Sequence, residues 1–366
     1  MNSAKELLAE FETLSTSEWM QKIEKFLKGR PFSEIVLQLE DDVEIKPFYR
    51  KEDTTAVVLP ALNSNNWLIS ESFHFDGKNA EALNKLILKS LEGGVESVSV
   101  CIEDGSPKAL SNIFKGVYLQ MIDIHLCGTA FEKAPTEWLN EIEALPEAKA
   151  GKGSFDSGVD LSKSISVLQN ISGSLPNYTA IHLRIKIGKS VISDLALLLK
   201  HIASAFDALI AAGLTADKAQ EQFRVTFTVS DDYLLSIAAL RAFKRLWLAI
   251  LEAYNVEKAK WPKIHAVSSQ SEASEEPYWN MISNTTQALS AAIAGVYSIE
   301  VIPTDTSGAS AEFSRRIARN VQQLLKLESH IDHIIDPSAG SYYIENYTTA
   351  IAAKSWEQFL AKVPSN

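Results

Sequence analysis

The amino-acid sequence predicts an α/β protein folded as a (β/α)8 TIM barrel with a helical arm at its N-terminus. Two observations carry this prediction. Eight short strand-like runs recur after Asn66, and most of them are followed by an amphipathic stretch with helical spacing. Successive runs start 24 to 44 residues apart, which suits one strand, one helix and their loops at about 30 residues or more, although two early intervals are tight. Eight such units are the number that closes a barrel.

The eight predicted strands are short runs, several of which alternate apolar with polar residues. They span Trp67–Phe73, Glu96–Glu103, Gln120–Cys127, Gly153–Gly158, Thr179–Ile187, Phe223–Ser230, Lys263–Gln270 and Ser298–Pro303. The fourth run matches a strand pattern least well, because it is short and rich in glycine.

The helices between the strands have clearer boundaries. Asn79–Leu91 ends before a glycine pair that suits a C-cap, and Ser193–Ala212, Asp232–Tyr254 and Glu312–Glu328 follow the fifth, sixth and eighth strands. An open doubly wound sheet is the alternative with the same alternation. That fold expects a glycine-rich loop after its first strand, whereas the Gly-x-Gly of this chain, Gly151–Gly153, leads into a strand.

The chain divides into three predicted segments. Residues 1–50 form an arm, in which Ala4–Phe11 and Glu18–Leu27 have helical apolar spacing but no core of their own. Residues 51–328 form the barrel. Residues 329–366 form an extension that packs on the barrel or leads to a further domain.

Composition excludes several classes of partner. The chain has 35 basic and 46 acidic residues and a net charge of −11, whereas nucleic acids and anionic membranes attract basic surfaces. No apolar run is long enough to span a bilayer, and the N-terminus does not resemble a secretory signal. Cys101 and Cys127 are too few for a disulfide framework and are expected to be buried, inert thiols. A cytoplasmic location follows.

The lumen of the barrel is predicted to be polar. Side chains alternate across a strand, and the apolar face of each strand must meet the helices. The residues expected to point inward are Ser97, Ser99, Glu103, Asp123, His125, His182, Arg184, Lys186, Arg224, Thr226, Lys263 and His265. The candidate site cluster among them is His125, His182, Arg184, Lys186, Arg224 and His265. Either the lumen admits a polar ligand, or it is closed by a network of paired charges.

Two acidic pairs and one histidine pair are considered as metal ligands. Asp231–Asp232 and Glu275–Glu276 lie where strands end, and such carboxylates serve acid–base chemistry, Mg²⁺ binding or the N-terminus of the next helix. The last interpretation suits Asp231–Asp232, which opens a helix. His330 and His333 are three residues apart, but a third ligand is not obvious, so no metal site is predicted.

Several motifs occur in a fixed order along the chain. They are Lys46–Tyr49, Arg241–Trp247, Pro277–Asn280, the helix Ser283–Ile293 with Gly295 after it, Phe313–Asn320 and Asp336–Tyr343. In this order they resemble the adenosylcobalamin-dependent acyl-CoA mutases, specifically the methylmalonyl-CoA mutase family. The resemblance implies a barrel whose lumen is threaded by the pantetheine arm of CoA.

The chain departs from catalytic members of that family in three places. The resemblance implies a flavodoxin-like domain whose Asp-x-His-x-x-Gly motif ligates cobalt, but too few residues follow Tyr343 to form it. It implies a glycine- and aromatic-rich substrate segment, where Lys51–Asn66 is short and lacks glycine. It also implies a catalytic histidine at the end of the fifth strand, where Ile185 stands, and His182 is expected to be a lumen residue instead.

These departures predict a small, non-catalytic subunit with no catalytic residue, cofactor or metal of its own. By the same resemblance, its partner is a larger catalytic subunit that binds adenosylcobalamin and interconverts (R)-methylmalonyl-CoA and succinyl-CoA, and the arm wraps that partner in a heterodimer. The alternative is an acyl-CoA-binding barrel that works with a separate cobalamin-binding chain. In that case Arg184, Lys186 and Arg224 are the candidate partners of phosphate or carboxylate groups.

Overall fold

The computed structural model describes most of the chain. The described residues are 14–40, 43–54, 64–158, 160–171, 173–269, 277–305 and 310–362. The predicted helix Ala4–Phe11 and the pair Glu275–Glu276 lie outside them. None of the described helices combines the length and the apolar character needed to cross a bilayer.

The predicted barrel is confirmed. Its parallel strands are β1 (Leu68–Asp76), β2 (Ser97–Asp104), β3 (Asp123–Cys127), β4 (Lys152–Phe155), β5 (Tyr178–Thr179 and Ile181–Lys186), β6 (Phe223–Thr228), β7 (Lys263–Val267) and β8 (Ser298–Glu300). Neighbours along the chain pair with one another, and β8 pairs with β1. The ring closes at β5, because its first part pairs with β4 and its second part, after Ala180, pairs with β6.

Helices cover the outside of this ring. They are α1 (Thr16–Leu27), α2 (Ala80–Glu92), α3 (Ala109–Ile113), α4 (Thr129–Lys133), α5 (Pro135–Glu143), α6 (Leu161–Ile171), α7 (Val191–Ala211), α8 (Ala216–Ala219), α9 (Tyr233–Ala253), α10 (Pro277–Ile293), α11 (Ala311–Leu327) and α12 (Tyr342–Lys362). Capping residues fix the N-terminal ends of several helices. The side chain of Asn79 accepts a hydrogen bond from the Ala82 amide at 3.0 Å, and Ser15 and Glu18 form a capping box on α1.

The hydrophobic core lies between the strands and the helices, which leaves polar residues for the lumen. Val98, Val100 and Ile102 of β2 are all fully buried. Behind β6, the ring of Phe223 stacks on Phe206 of α7 at 5.1 Å between ring centroids. Because the apolar face of each strand is used in this way, its other face points into the ring.

Close backbone contact explains the glycine-rich fourth strand. Gly153 has φ 157°, and a Cβ atom at this position would lie 1.6 Å from the carbonyl oxygen of Ile124 on β3. Such a distance is a severe clash, so β4 can pair with β3 at this register only if residue 153 has no side chain. The composition that weakens the strand pattern is therefore what the barrel requires.

The arm is joined to the barrel by polar contacts. Glu40 accepts hydrogen bonds from the amide of Ser193 at 2.9 Å and from its hydroxyl at 2.6 Å, so the carboxylate lies at the N-terminus of α7. Just after the arm, Thr54 accepts a hydrogen bond from Asn346 of α12 at 2.6 Å. Helix α12 itself packs along α7 and α9.

Candidate functional site in the barrel lumen

A cavity of about 250 Å³ occupies the carboxyl-terminal half of the lumen. Its lining includes five of the six candidate residues, namely His125, His182, Arg184, Arg224 and His265. Lys186 was expected inside but is exposed, because β5 ends there. Glu103 is a second correction, since it lies exposed at the end of β2 and accepts a hydrogen bond from Thr129 at 3.3 Å.

Arg224 reaches across the middle of the lumen. It extends from β6, and its Nη1 atom lies 2.8 Å from Nδ1 of His125 on β3 and also contacts Nε2. The imidazole of His125 is held between Ser154 of β4, at 2.8 Å, and Ser97 of β2, at 3.1 Å. Since β3 and β6 are three strands apart in the ring, this contact divides the lumen.

A second contact closes the lumen nearer its amino-terminal end. The hydroxyl of Tyr297, which precedes β8, donates a hydrogen bond to Oδ2 of Asp123 on β3 at 2.8 Å. The ammonium of Lys263 lies 5.8 Å from the centre of the Tyr297 ring. Burial and the neighbouring Asp123 carboxylate raise the pKa of Tyr297, so it is a hydrogen-bond donor at neutral pH.

Ion pairs and hydrogen bonds line the carboxyl-terminal side of the cavity. Oδ2 of Asp156 lies 2.5 Å from Nη2 of Arg184 and 3.1 Å from Nδ1 of His182. On the opposite wall, Glu300 accepts a hydrogen bond from Ser72 at 2.8 Å and lies 3.4 Å from Nε2 of His265. Most of the charged side chains in the lumen are therefore paired with one another, as the second interpretation of the sequence predicted.

Burial governs the protonation of these groups. Burial, reinforced by the charge of Arg224, lowers the pKa of His265 to about 4 and that of His125 well below its usual value. Burial also lowers the pKa of His182 to about 4, although its interaction with the Asp156 carboxylate opposes this shift. The three imidazoles are therefore neutral at pH 7. Burial lowers the pKa of Arg224 to about 10, so this guanidinium stays charged.

The two cysteines correct a prediction made from the sequence. Cys101 of β2 and Cys127 of β3 are register partners with Cα atoms 4.6 Å apart, and they form a disulfide rather than two free thiols. Both residues line the cavity. Their shared inward face on neighbouring strands is the signal in the sequence that indicates pairing.

The six-residue pattern Asp-x-His-x-x-Gly does occur in the chain, at Asp123–Gly128. The pattern taken alone would make His125 a candidate cobalt ligand. These residues, however, form β3 and the turn after it, not the loop of a separate domain. Both ring nitrogens of His125 are engaged by Ser97 and Ser154, and its side chain is buried.

The other residues considered as metal ligands are engaged in contacts within the fold. Asp232 caps α9, since its side chain accepts a hydrogen bond from the amide of Leu235 at 2.9 Å. Asp231 accepts one from Gln287 of α10 at 2.5 Å. The rings of His330 and His333 stack at 4.9 Å. Among the described residues, no three histidine, cysteine or acidic side chains are grouped so that they could hold a metal ion.

Two lumen carboxylates were not predicted. Glu300 lies on the same face of β8 as Ser298, so strict alternation along the predicted strand would have placed it inside. Asp156 follows β4, where glycine obscures the alternation, and only the structure shows that it joins the cavity wall.

A family model described as methylmalonyl-CoA mutase matches residues 174–364. The chain belongs to this family. The match covers β5 to β8 and α12, and it includes Arg224, His265 and the motif Asp336–Tyr343.

Curated members of the mutase family align over most of the chain. The methylmalonyl-CoA mutase small subunit of Porphyromonas gingivalis is 31% identical, over 97% of this chain and 64% of its own length. The small subunit of Propionibacterium freudenreichii subsp. shermanii is 26% identical, over 96% and 62%. A probable small subunit of Mycobacterium tuberculosis is 26% identical, over 81% and 52%. The chain thus spans half to two thirds of the length of these relatives.

Proposed function

We propose that this chain is a non-catalytic subunit of a methylmalonyl-CoA mutase and that it supports a larger catalytic chain. The observation that carries the proposal is the contact between Arg224 and His125 across the lumen. The names of the relatives, which are small subunits, support the same role.

The blocked lumen argues against CoA binding by this chain. A pantetheine arm threaded through the barrel would have to displace both the Arg224–His125 contact and the Tyr297–Asp123 hydrogen bond. The remaining cavity, about 250 Å³, is smaller than the roughly 300–1,000 Å³ of pockets that enclose drug-sized ligands. The alternative role, an acyl-CoA-binding barrel, therefore has less support than the subunit role.

The lumen residues also do not fit a corrin cofactor. His125 and His265 are buried, and the side chain of His182 is 7% exposed. Each imidazole is hydrogen-bonded to a neighbouring hydroxyl, that of His265 to Ser298 at 2.8 Å. A cobalt ligand needs a free ring nitrogen and space for the macrocycle beside it. We therefore assign adenosylcobalamin, and the interconversion of (R)-methylmalonyl-CoA and succinyl-CoA, to the partner chain.

The arm offers a surface for that partner. Phe26 of α1 is 82% exposed, and Trp19 on the same helix is 43% exposed. Ile35 and Leu37, which follow α1, are also exposed. Large apolar side chains grouped on one segment mark protein interfaces more often than free surface. We propose that the partner covers this segment in a heterodimer in the cytoplasm. A disulfide is uncommon in that compartment, so cell fractionation tests the location.

Co-purification tests the proposed role. The tagged chain, isolated from its native extract, should bring with it one larger chain in equal amount, and the complex should turn over methylmalonyl-CoA with adenosylcobalamin. The isolated chain should not. Phe26→Asp should abolish co-purification, whereas the exposed change Arg316→Gln on α11 should not. Turnover by the isolated chain, or purification without a partner, would refute the proposal.

A further inference from the structure

Arg224 is a buried cation without a direct counter-ion. Its residue is 1% exposed, and among the described residues no carboxylate lies within 4.0 Å of its guanidinium. Its Nε atom is buried and has no hydrogen-bond partner there. Buried arginines are normally paired, because an isolated charge in the interior is unfavourable.

The carboxylates nearest to Arg224 are engaged elsewhere. Asp156 is bound by Arg184 and His182, and Glu300 is bound by Ser72 and faces His265. Asp123 lies on the other side of the Arg224–His125 contact, where it accepts the hydrogen bond from Tyr297. The guanidinium lines the cavity and contacts the imidazole of His125, which is not a counter-ion.

The other groups around the cavity are suited to an anion. The hydroxyl-bearing residues Ser99, Ser154 and Thr226 line it together with Arg224. A guanidinium supported by hydroxyl donors is a common arrangement for binding carboxylates and phosphates. The cavity opens at the carboxyl ends of the strands, where His74 and Arg184 are exposed, so a small ion can enter from solvent.

We propose that this cavity binds one small oxyanion, a carboxylate or an inorganic phosphate, with Arg224 as its principal ligand. Ser99, which lines the cavity, supplies a hydroxyl donor. The volume of about 250 Å³ admits an ion of a few heavy atoms. The proposal does not depend on the subunit role, because it concerns only groups within the barrel.

Calorimetric titration of the full chain tests this site. Sodium phosphate and sodium acetate are titrated separately, with ionic strength held constant by sodium chloride. We expect saturable binding of one equivalent for at least one of them, and which one binds identifies the source of the oxyanion. Arg224→Gln should weaken that binding at least tenfold, and the exposed variant Arg316→Gln should not change it. Saturable binding of neither ion, or equal affinity in Arg224→Gln, would overturn the proposal.

A measurement on the unaltered protein covers the case in which Arg224→Gln does not fold. The anion that binds should shift the imidazole NMR signals of His125 and His182, which line the cavity, but not that of His201, which is exposed on α7. Unchanged signals for both lumen histidines would contradict binding at this position.

Discussion

Arg241 of α9 and Glu345 of α12 form a buried ion pair, with 2.7 Å between Nη2 and Oε1. Nη1 of the same guanidinium contacts both carboxylate oxygens of Asp336, and the amide of Gly340 donates a hydrogen bond to Glu345 at 3.1 Å. The family motif Asp336–Tyr343 is therefore a turn that fixes α12 to the barrel. Its residues serve docking and do not reach the lumen.

Loss of the Arg241 guanidinium should destabilise the protein strongly. Arg241→Gln leaves the Asp336 and Glu345 carboxylates without their cation, and breaking a buried pair of this kind costs about 3–5 kcal/mol. Urea unfolding measures the change. Arg316→Gln, at an exposed site on α11, is the control and should change stability by less than about 0.5 kcal/mol. Similar stability of the two variants would show that the pair does not hold α12.

The lumen histidines should make the protein sensitive to acid. The folded-state pKa of His182 and that of His265 are about 4, below the ordinary value of 6.5. Between these pH values the unfolded chain binds protons that the folded chain does not, so stability falls as pH falls. Each such histidine contributes up to about 1.4 kcal/mol per pH unit.

Urea unfolding at several pH values between 7 and 5 tests this prediction, because the carboxylates contribute little in that window. His182→Gln should reduce the slope of unfolding free energy against pH by about one proton. His201→Gln, at an exposed position on α7, should leave the slope unchanged. The same slope in both variants would mean that the pKa of His182 is not lowered in the folded protein.

Gly153 should not tolerate a side chain. In Gly153→Ala the new Cβ atom would overlap the carbonyl oxygen of Ile124, so β3 and β4 would have to separate. We expect a loss of more than about 4 kcal/mol or failure to fold, in the range of severe core disruption. Gly188→Ala is the matched control, since no atom lies within 4 Å of its added Cβ. Circular dichroism and thermal unfolding compare the two, and equal melting temperatures would contradict the assigned register.

The sequence predicted more of the fold than of the site, for physical reasons. Strand and helix positions follow from local periodicity, which is why β5 and β6 lie close to their predicted bounds. The lumen depends on which strands face each other across the ring, and periodicity carries no such information. The alternation along the strands therefore predicts that Arg224 and His125 face the lumen, but it does not predict that they contact each other. Asp156 falls within the predicted fourth strand, but that run is too short and glycine-rich for its alternation to have assigned the residue to the lumen.

Reduction of the Cys101–Cys127 disulfide should lower stability, because the bond closes a loop between residues 26 positions apart. The chain-entropy model gives about 3 kcal/mol for loops of this order. Thiol titration of the denatured protein should find no free thiol until a reductant is added, and urea unfolding with and without reductant measures the loss. The double variant Cys101→Ser, Cys127→Ser removes the bond, so its stability should not respond to reductant. Two free thiols in the freshly purified protein, with no effect of reductant on unfolding, would show that the cysteines are unpaired in solution.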